Sequence, residues 1–150
     1  MRIVAQQLNP TVGALEENAD AIIAAIERSR NDAADLIVFP ELALCGYPPE
    51  DFLLLPHFVA AVEQQLQRIV EASHGIAVVV GTIRCNTKRQ EKGVFNSVAV
   101  IDDGKILGYH DKILLPNYDV FRERRYFEAG TAIQPWEIKG KRIAITICED

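Results

Sequence analysis

The run Ile76–Ile83 (Ile-Ala-Val-Val-Val-Gly-Thr-Ile) constrains the fold more than any other stretch of the chain. Its residues are mostly β-branched or small and carry no charge, which predicts a β-strand. The run is apolar on both faces. We therefore expect the strand to be covered on both sides and to lie at the centre of a sheet.

Four further segments predict the elements around this strand. Arg2–Gln7 (Arg-Ile-Val-Ala-Gln-Gln) and the short apolar run Leu36–Phe39 are each followed closely by a proline, and we expect strands there. Apolar residues recur at helical spacing in Ala14–Arg30 and Phe58–Ala72, which predicts two amphipathic helices that each pack one face on a sheet. Strands that alternate with helices in this way indicate an α/β protein.

A hairpin signal lies in the second half of the chain. Asp103-Gly104 separates two strand-like runs, Phe95–Ile101 and Ile106–His110, so we expect a mixed sheet rather than a purely parallel one. Thr87–Lys92 predicts a polar, charged loop. Pro116–Phe127 is rich in aromatic and charged residues and predicts a long loop, which could serve as plain surface, an oligomer contact or a cover over a substrate.

The run Ile143–Ile147 is β-branched or small and apolar, contains no glycine or proline, and predicts a buried strand. It leads directly into Cys148. A thiol at the end of a buried strand lies where open α/β sheets commonly place their chemistry. A lone cysteine is also explained as a small buried apolar residue, and the run alone does not decide between the two interpretations.

Two charged residues, Glu41 and Lys112, each come just after a predicted strand. Taken alone, each is also explained as a solvated surface charge. Lys112 is followed by Ile113-Leu114-Leu115, and an amine beside apolar residues favours a buried, paired charge. With Cys148, the two residues make a set of base, cation and nucleophile in which each member follows a strand.

The order and placement of these residues resemble the nitrilase, or carbon-nitrogen hydrolase, superfamily. Three motifs are similar to the glutaminase domain of glutamine-dependent NAD synthetases: Phe39–Phe52 (FPELALCGYPPEDF), Lys112–Phe127 (KILLPNYDVFRERRYF) and Ile147–Asp150 (ICED). The resemblance runs from Arg2 to Asp150 and implies a mixed-sheet αββα sandwich, of which this chain would hold about half. We therefore expect residues 1–150 to be one carbon-nitrogen hydrolase (glutamine amidotransferase) domain, truncated after the nucleophile.

The resemblance implies that the glutamine amide is hydrolysed through a thioester on Cys148. Glu41 would act as general base, and Lys112 would stabilise the thiolate and the oxygen of the tetrahedral intermediate. Glu123 matches the second glutamate of the family, which orients the lysine and the attacking water. Its alternative role is that of a loop charge paired with a neighbouring arginine.

Three further residues match positions that contact or enclose glutamine in these synthetases. Glu149 would hold the α-amino group of the substrate through a charge-assisted hydrogen bond. Tyr118 would hydrogen-bond near the substrate, and Phe121 would form a wall of the pocket.

The resemblance also implies a parent enzyme in which the ammonia passes to a synthetase domain. That domain would use ATP and Mg²⁺ to convert deamido-NAD to NAD, whereas no residue of this chain indicates a cofactor or metal of its own. We also expect a homo-oligomer. Two alternatives stay open: a stand-alone amidase of the same superfamily that acts on a small ω-amide or carbamoyl compound, and a non-catalytic assembly module.

Charge and cysteine content narrow the classes of partner. The net charge of −5 gives no reason to expect a nucleic acid or an anionic membrane, and no apolar run approaches the ~20 residues of a membrane span. Three widely spaced cysteines argue against a disulfide framework or a zinc site and fit a reducing cytoplasm. We expect Cys45 and Cys85 to be structural, and His57 and His74 to be solvated helix ends rather than ligands.

Overall fold

Six strands form the main sheet of a computed structural model that describes residues 1–86 and 93–150. They are β1 Ile3–Ala5, β2 Leu36–Val38, β3 Ala77–Cys85, β4 Val94–Asp102, β5 Lys105–Asp111 and β6 Phe127–Glu128. The order across the sheet is β1-β2-β3-β4-β5, and β6 pairs with β4. The predicted loop Thr87–Lys92 lies outside the described residues.

The sheet is mixed, as the hairpin signal predicts. β1, β2 and β3 run parallel, whereas β4 runs antiparallel to its two neighbours, β3 and β5. Asp103 and Gly104 connect β4 to β5 with positive φ angles of 47° and 75°, the conformation whose twist matches that of the flanking strands. β3 lies at the centre and is buried from Ala77 to Ile83, which confirms the prediction for this run.

Two long helices cover one face of the sheet. α1 (Leu15–Asn31) and α2 (Pro56–Ala72) begin and end within two residues of the predicted helices. The helical spacing of their apolar residues made this prediction possible, since it places those residues on one side of each helix. No helix among the described residues is long and apolar enough to cross a membrane. The helix-side cluster, in which both helices pack on the sheet, includes Ile22, Ile26, Ile37, Val62, Ile69, Val78 and Val80.

A smaller cluster covers the opposite face of the sheet. β7 (Trp136–Ile138) and β8 (Lys141–Ile143) form an antiparallel hairpin that supplies part of it, and we call it the hairpin-side cluster. Neighbouring residues of β3 belong to different clusters, since Val78 lies on the helix side and Val79 on the hairpin side. This alternation explains why the central run is apolar at successive positions.

The prediction of a buried strand at Ile143–Ile147 is wrong. β8 ends at Ile143, and residues 144–147 have no strand pairing within the described part of the chain. Exposure alternates along the segment: Ala144 and Thr146 are exposed, while Ile147 is buried in the hairpin-side cluster. One face therefore packs on the main sheet, and a β-branched run does not by itself distinguish this arrangement from a paired, fully buried strand.

The segment Pro116–Phe127 is not a continuous loop either. A helical turn, α3 (Glu123–Tyr126), leads into β6, which pairs in parallel with the start of β4. Phe127 is 2% exposed within the helix-side cluster. A short 3₁₀ helix, Glu50–Leu54, lies beside α3. Burial of the Phe127 ring and pairing with β4 give this segment regular structure despite its many charges.

Candidate active site

Glu41 stands on a turn that leaves the sheet after β2. Its neighbour Leu42 has a positive φ of 48°, and the turn rests on Gly81 of the central strand. A Cβ at Gly81 would lie 2.2 Å from the oxygen of Pro40 and 2.4 Å from the nitrogen of Leu42, so this close approach requires glycine. A hydrogen bond from the Leu44 nitrogen to the Gly81 oxygen (3.1 Å) fixes the turn on the strand.

Lys112 follows β5 directly and is held through its main chain on both sides. Its nitrogen donates to the oxygen of Asn96 on β4 (2.8 Å), and its oxygen accepts from the nitrogen of Gly130 (2.8 Å). Glycine is needed at position 130, because a Cβ there would lie 2.1 Å from the oxygen of Asp111. The backbone of Lys112 is thus fixed between the sheet and the segment after β6.

Three charged side chains, Glu41, Lys112 and Glu123, meet in what we call the charged cluster. Lys112 Nζ donates to Glu41 Oε1 at 2.8 Å and to Glu123 Oε1 at 2.9 Å, and it is fully buried. Burial pulls the pKa of Lys112 down, but the hydrogen bonds and charges of the two carboxylates outweigh it and raise the pKa above its ordinary value. The prediction of a buried, paired Lys112 is confirmed, and the amine is charged at neutral pH.

Two polar residues that the sequence did not single out hold the carboxylates of this cluster. Asn96 Nδ2 donates to Glu41 Oε1 at 2.6 Å, and Tyr47 Oη donates to Glu123 Oε1 at 2.9 Å. Burial and the bond to Glu123 raise the pKa of Tyr47. A signal existed for Asn96, because it is one of a few polar residues in a mostly apolar strand. The structure buries it to 1% exposure.

Cys148 lies on a tight turn, closed by a hydrogen bond from the Asp150 nitrogen to the Ile147 oxygen (3.1 Å). The residue is exposed and has a positive φ of 50°, so the interpretation as a small buried cysteine is wrong. Cys148 and Glu41 line the same cavity of about 110 Å³. Within the described residues Cys148 makes no side-chain hydrogen bond, and it follows the unpaired segment 144–147 rather than a strand.

Tyr118, Phe121 and Glu149 come together beside this turn. The Tyr118 hydroxyl donates to the Glu149 carboxylate, which raises the pKa of Tyr118. The Tyr118 and Phe121 rings meet edge to face with centroids 5.7 Å apart, and Phe121 lies 6.3 Å from the ring of Tyr47. Tyr118 and Glu149 also line a cavity of about 530 Å³, large enough for a small polar molecule.

The family model described as "Carbon-nitrogen hydrolase" matches residues 2–150. The chain belongs to the carbon-nitrogen hydrolase family. It is 43% identical over 152 residues to a glutamine-dependent NAD(+) synthetase of Synechocystis sp., and this match covers 99% of the chain and 27% of the relative. The solved structure of a glutamine-dependent NAD+ synthetase from Acinetobacter baumannii, in complex with ADP, matches with a TM-score of 0.86 at 34% identity, over 99% of this chain and 27% of that one.

A solved amidase from Nesterenkonia sp. shares the fold, with a TM-score of 0.82 at 22% identity over 99% of this chain and 56% of that one. The predicted fold class, the mixed α/β fold of the nitrilase family, is confirmed. This carbon-nitrogen hydrolase chain spans about a quarter of the length of the NAD synthetases that it matches.

A second buried polar contact in this carbon-nitrogen hydrolase was missed from the sequence. His110 Nε2 lies 2.8 Å from Asp150 Oδ2, and both side chains are 1% exposed. His110 precedes Lys112 by two residues and Asp150 follows Cys148 by two. The available signal was one titratable residue two positions from Lys112 and another two positions from Cys148, but nothing local indicated that the two would meet.

The remaining cysteines and histidines lie apart from this arrangement. Cys45 is fully buried, and burial raises the pKa of its thiol to about 12, while Cys85 is half-buried. His57 and His74 are exposed at the ends of α2. The described residues contain no group of three or more His, Cys, Asp or Glu side chains that could hold a metal ion.

Proposed function

We propose that this carbon-nitrogen hydrolase is the glutaminase part of a glutamine-dependent NAD synthetase. It would hydrolyse the side-chain amide of glutamine and supply the ammonia to a synthetase domain of the parent enzyme. One observation carries the proposal: buried Lys112 is held between Glu41 and Glu123, and Glu41 shares a cavity with the exposed thiol of Cys148. The match to a glutamine-dependent NAD synthetase, 43% identical and covering 99% of the chain, supports glutamine as the substrate.

The first half of the reaction forms a thioester. Glu41 takes the proton of the Cys148 thiol, and the sulfur attacks the amide carbon of glutamine. Both hydrogen bonds to Glu41 fall on Oε1, which leaves Oε2 to accept this proton. When the tetrahedral intermediate collapses, the carbon–nitrogen bond breaks and Glu41 returns the proton to the departing ammonia.

The second half releases glutamate. Glu41 takes a proton from a water molecule, the hydroxide attacks the thioester carbon, and the carbon–sulfur bond breaks. The sulfur leaves as a thiolate and recovers its proton from Glu41. Glu123 acts through Lys112, because its carboxylate fixes the position of the ammonium.

Lys112 is suited to stabilise the oxygen of both tetrahedral intermediates. An ammonium group has three N–H donors, and two of them go to Glu41 and Glu123. The third is left for the substrate oxygen. A donor fixed in this way is typically worth about 100- to 1000-fold in rate.

Glutamine would bind in the larger cavity beside the turn of Cys148. Glu149 supplies a negative charge for the α-ammonium group, and Tyr118, which already donates to that carboxylate, orients it. Phe121 meets the ring of Tyr118 edge to face but does not line this cavity, so its role as a wall of the pocket stays a prediction. In the parent, ATP and Mg²⁺ would belong to the synthetase domain that converts deamido-NAD to NAD.

The proposal also covers the wider setting of the chain. Residues 1–150 would be one part of the glutaminase domain, in a cytoplasmic parent that forms a homo-oligomer and needs neither a nucleic acid nor a membrane. Light scattering of the purified parent measures the oligomeric state directly.

The test is the release of ammonia from glutamine by the purified full-length protein, compared with Cys148→Ala and Glu41→Gln. We expect glutamine hydrolysis by the wild type, and a loss of about 100- to 10,000-fold in Glu41→Gln because the general base is removed. Hydrolysis of a small ω-amide or carbamoyl compound in preference to glutamine would instead identify a stand-alone amidase.

A labelling experiment separates catalysis from a purely structural module. An electrophilic glutamine analogue should label Cys148 much faster than Cys45 or Cys85. Equal labelling of the three cysteines, together with no hydrolysis of any amide, would identify a non-catalytic assembly module.

A further inference from the structure

The carboxylate of Asp150 connects the turn that carries Cys148 to the segment that follows Lys112. Oδ1 accepts hydrogen bonds from the main-chain nitrogens of Ile113 (2.8 Å) and Leu114 (2.9 Å). These are the first two residues after Lys112. A displacement of Asp150 would therefore act directly on the backbone next to the charged cluster.

The other oxygen of Asp150 serves its own turn. Oδ2 accepts from the nitrogen of Ile147 at 3.1 Å and lies 2.8 Å from Nε2 of His110 on β5. An ionised carboxylate only accepts hydrogen bonds, so Nε2 of His110 carries the proton in this pair. One side chain thus connects the turn, strand β5 and the backbone after Lys112.

A carboxylate matches this set of donors, and an amide does not. Asp150 meets four donors, which is the number of lone-pair sites on an ionised carboxyl group. Asparagine at this position would turn an NH₂ group toward two of the four donors. Burial raises the pKa of Asp150, but the hydrogen bonds from Leu114, His110, Ile113 and Ile147 outweigh it and lower the pKa, so the group is ionised at neutral pH.

The turn of Cys148 needs such a connection. A non-glycine residue with a positive φ is strained and persists where surrounding contacts hold it. The neighbouring bond between Glu149 and Tyr118 is exposed, and exposed polar contacts stabilise little. The Asp150 side chain is 1% exposed, so its hydrogen bonds are shielded from water.

We propose that Asp150, together with His110, is a positioning residue that holds the thiol of Cys148 toward Glu41, in the cavity that these two residues share. Because it assigns the nucleophile to Cys148, this inference rests on the proposed function. Asp150 acts through the turn and the backbone after Lys112. Its effect therefore falls on the reactivity of the thiol.

The experiment measures the rate at which iodoacetamide alkylates Cys148 in the purified full-length protein, followed by peptide mass spectrometry. Asp150→Asn and Asp150→Glu are compared with the wild type. Two other cysteines in the same molecule serve as references. Half-buried Cys85 reports the general rate of alkylation, and buried Cys45 becomes alkylated only if the core opens.

Asp103→Asn is the matched control. Asp103 also accepts a main-chain hydrogen bond, from Gly75 at 2.9 Å, and also faces a histidine, since it lies 3.8 Å from Nδ1 of His74. Its side chain, however, is 73% exposed at the opposite end of β5 from Lys112. We expect no change in the alkylation of Cys148 in this variant.

Positioning and simple electrostatics predict opposite results. If Asp150 positions the thiol, Cys148 should react at least about tenfold more slowly in both variants while Cys45 stays protected, since a small displacement of reacting groups is costly. If only charge matters, Asp150→Asn should react faster, because loss of a nearby negative charge favours the thiolate, and Asp150→Glu should match the wild type. The second pattern would overturn the inference.

Labelling of Cys45 in Asp150→Asn would mean that the core of this variant opens. The charge-preserving Asp150→Glu variant then decides. Slower alkylation of Cys148 in Asp150→Glu supports positioning, and alkylation at the wild-type rate refutes it. Alkylation by iodoacetamide requires no glutamine. Failure of the proposed function would appear separately, as the absence of glutamine hydrolysis by the wild type.

Discussion

The two halves of the proposed site are built differently. The charged cluster of Glu41, Lys112 and Glu123 is largely buried and is held by main-chain bonds from the sheet and by Asn96 and Tyr47. Cys148 is exposed on a strained turn, and the segment before it pairs with no strand in the described part of the chain. The fold thus fixes the proposed base and cation through the sheet, whereas the position of the proposed nucleophile depends on a few side-chain contacts of the residues next to it.

The difference has a physical reason. A buried ammonium between two carboxylates tolerates little displacement, because a charge left unpaired inside the protein is costly. A thiol is weakly polar and loses little on exposure to water. Changes to the charged cluster should therefore affect both stability and activity, and changes at Cys148 should affect activity alone.

Replacement of the proposed nucleophile should have the largest effect on activity. We expect Cys148→Ala to reduce glutamine hydrolysis by about 1,000-fold or more, as loss of a covalent nucleophile commonly does. The melting temperature should stay close to that of the wild type, because the side chain is exposed. A marked fall in melting temperature would contradict the comparison.

Lys112→Met should reduce activity and stability together. Buried Glu123 and partly exposed Glu41 would lose their shared partner, and breaking a buried pair typically costs about 3–5 kcal/mol in free energy of unfolding. Denaturant unfolding measures this change. Lys141→Met is the control, since Lys141 is exposed and its loss should leave stability nearly unchanged.

Gly81→Ala should displace the turn of Glu41. The added methyl would overlap the oxygen of Pro40, and we expect a loss of about 1–3 kcal/mol in stability and about 100-fold in kcat. Gly93→Ala is the matched control, because a Cβ there meets no atom within 4 Å among the described residues. Equal effects of the two substitutions would disprove that the turn of Glu41 depends on the close approach at Gly81.

The smallest effect should appear in the pH dependence of stability. The pKa of Asp150 is lower in the folded protein than in the unfolded chain, so its contribution is present above the unfolded value of about 3.9 and is lost as the pH falls through the folded pKa. The difference in melting temperature between wild type and Asp150→Asn should therefore be constant near neutral pH and shrink in acid. A difference that grows in acid would contradict this sign.

Local patterns predicted most of the fold. The central strand, both helices and the hairpin at Asp103-Gly104 follow from periodicity and turn chemistry, which neighbouring residues determine. The burial of Lys112 followed from the apolar residues beside it. Ile143–Ile147 failed because the same apolar pattern fits a strand and a segment packed on one face.

Local sequence patterns could not predict which polar side chains meet around the site. Asn96 and Glu41 are 55 residues apart in sequence, Tyr47 and Glu123 are 76 apart, and His110 and Asp150 are 40 apart. Which of many polar residues meet depends on how the strands and turns are arranged in three dimensions. The family resemblance supplied Glu123, Tyr118 and Glu149, and their functional roles stay predictions.

The net charge of the charged cluster bears on how the proposed reaction proceeds. Two carboxylates and one ammonium leave one negative charge in excess before the reaction begins. In the proposed reaction this charge moves from Glu41 to sulfur and then to the substrate oxygen, so the net charge of the site stays constant throughout. The surroundings then have little need to reorient, and a rigid, largely buried framework suits such a migration better than water does.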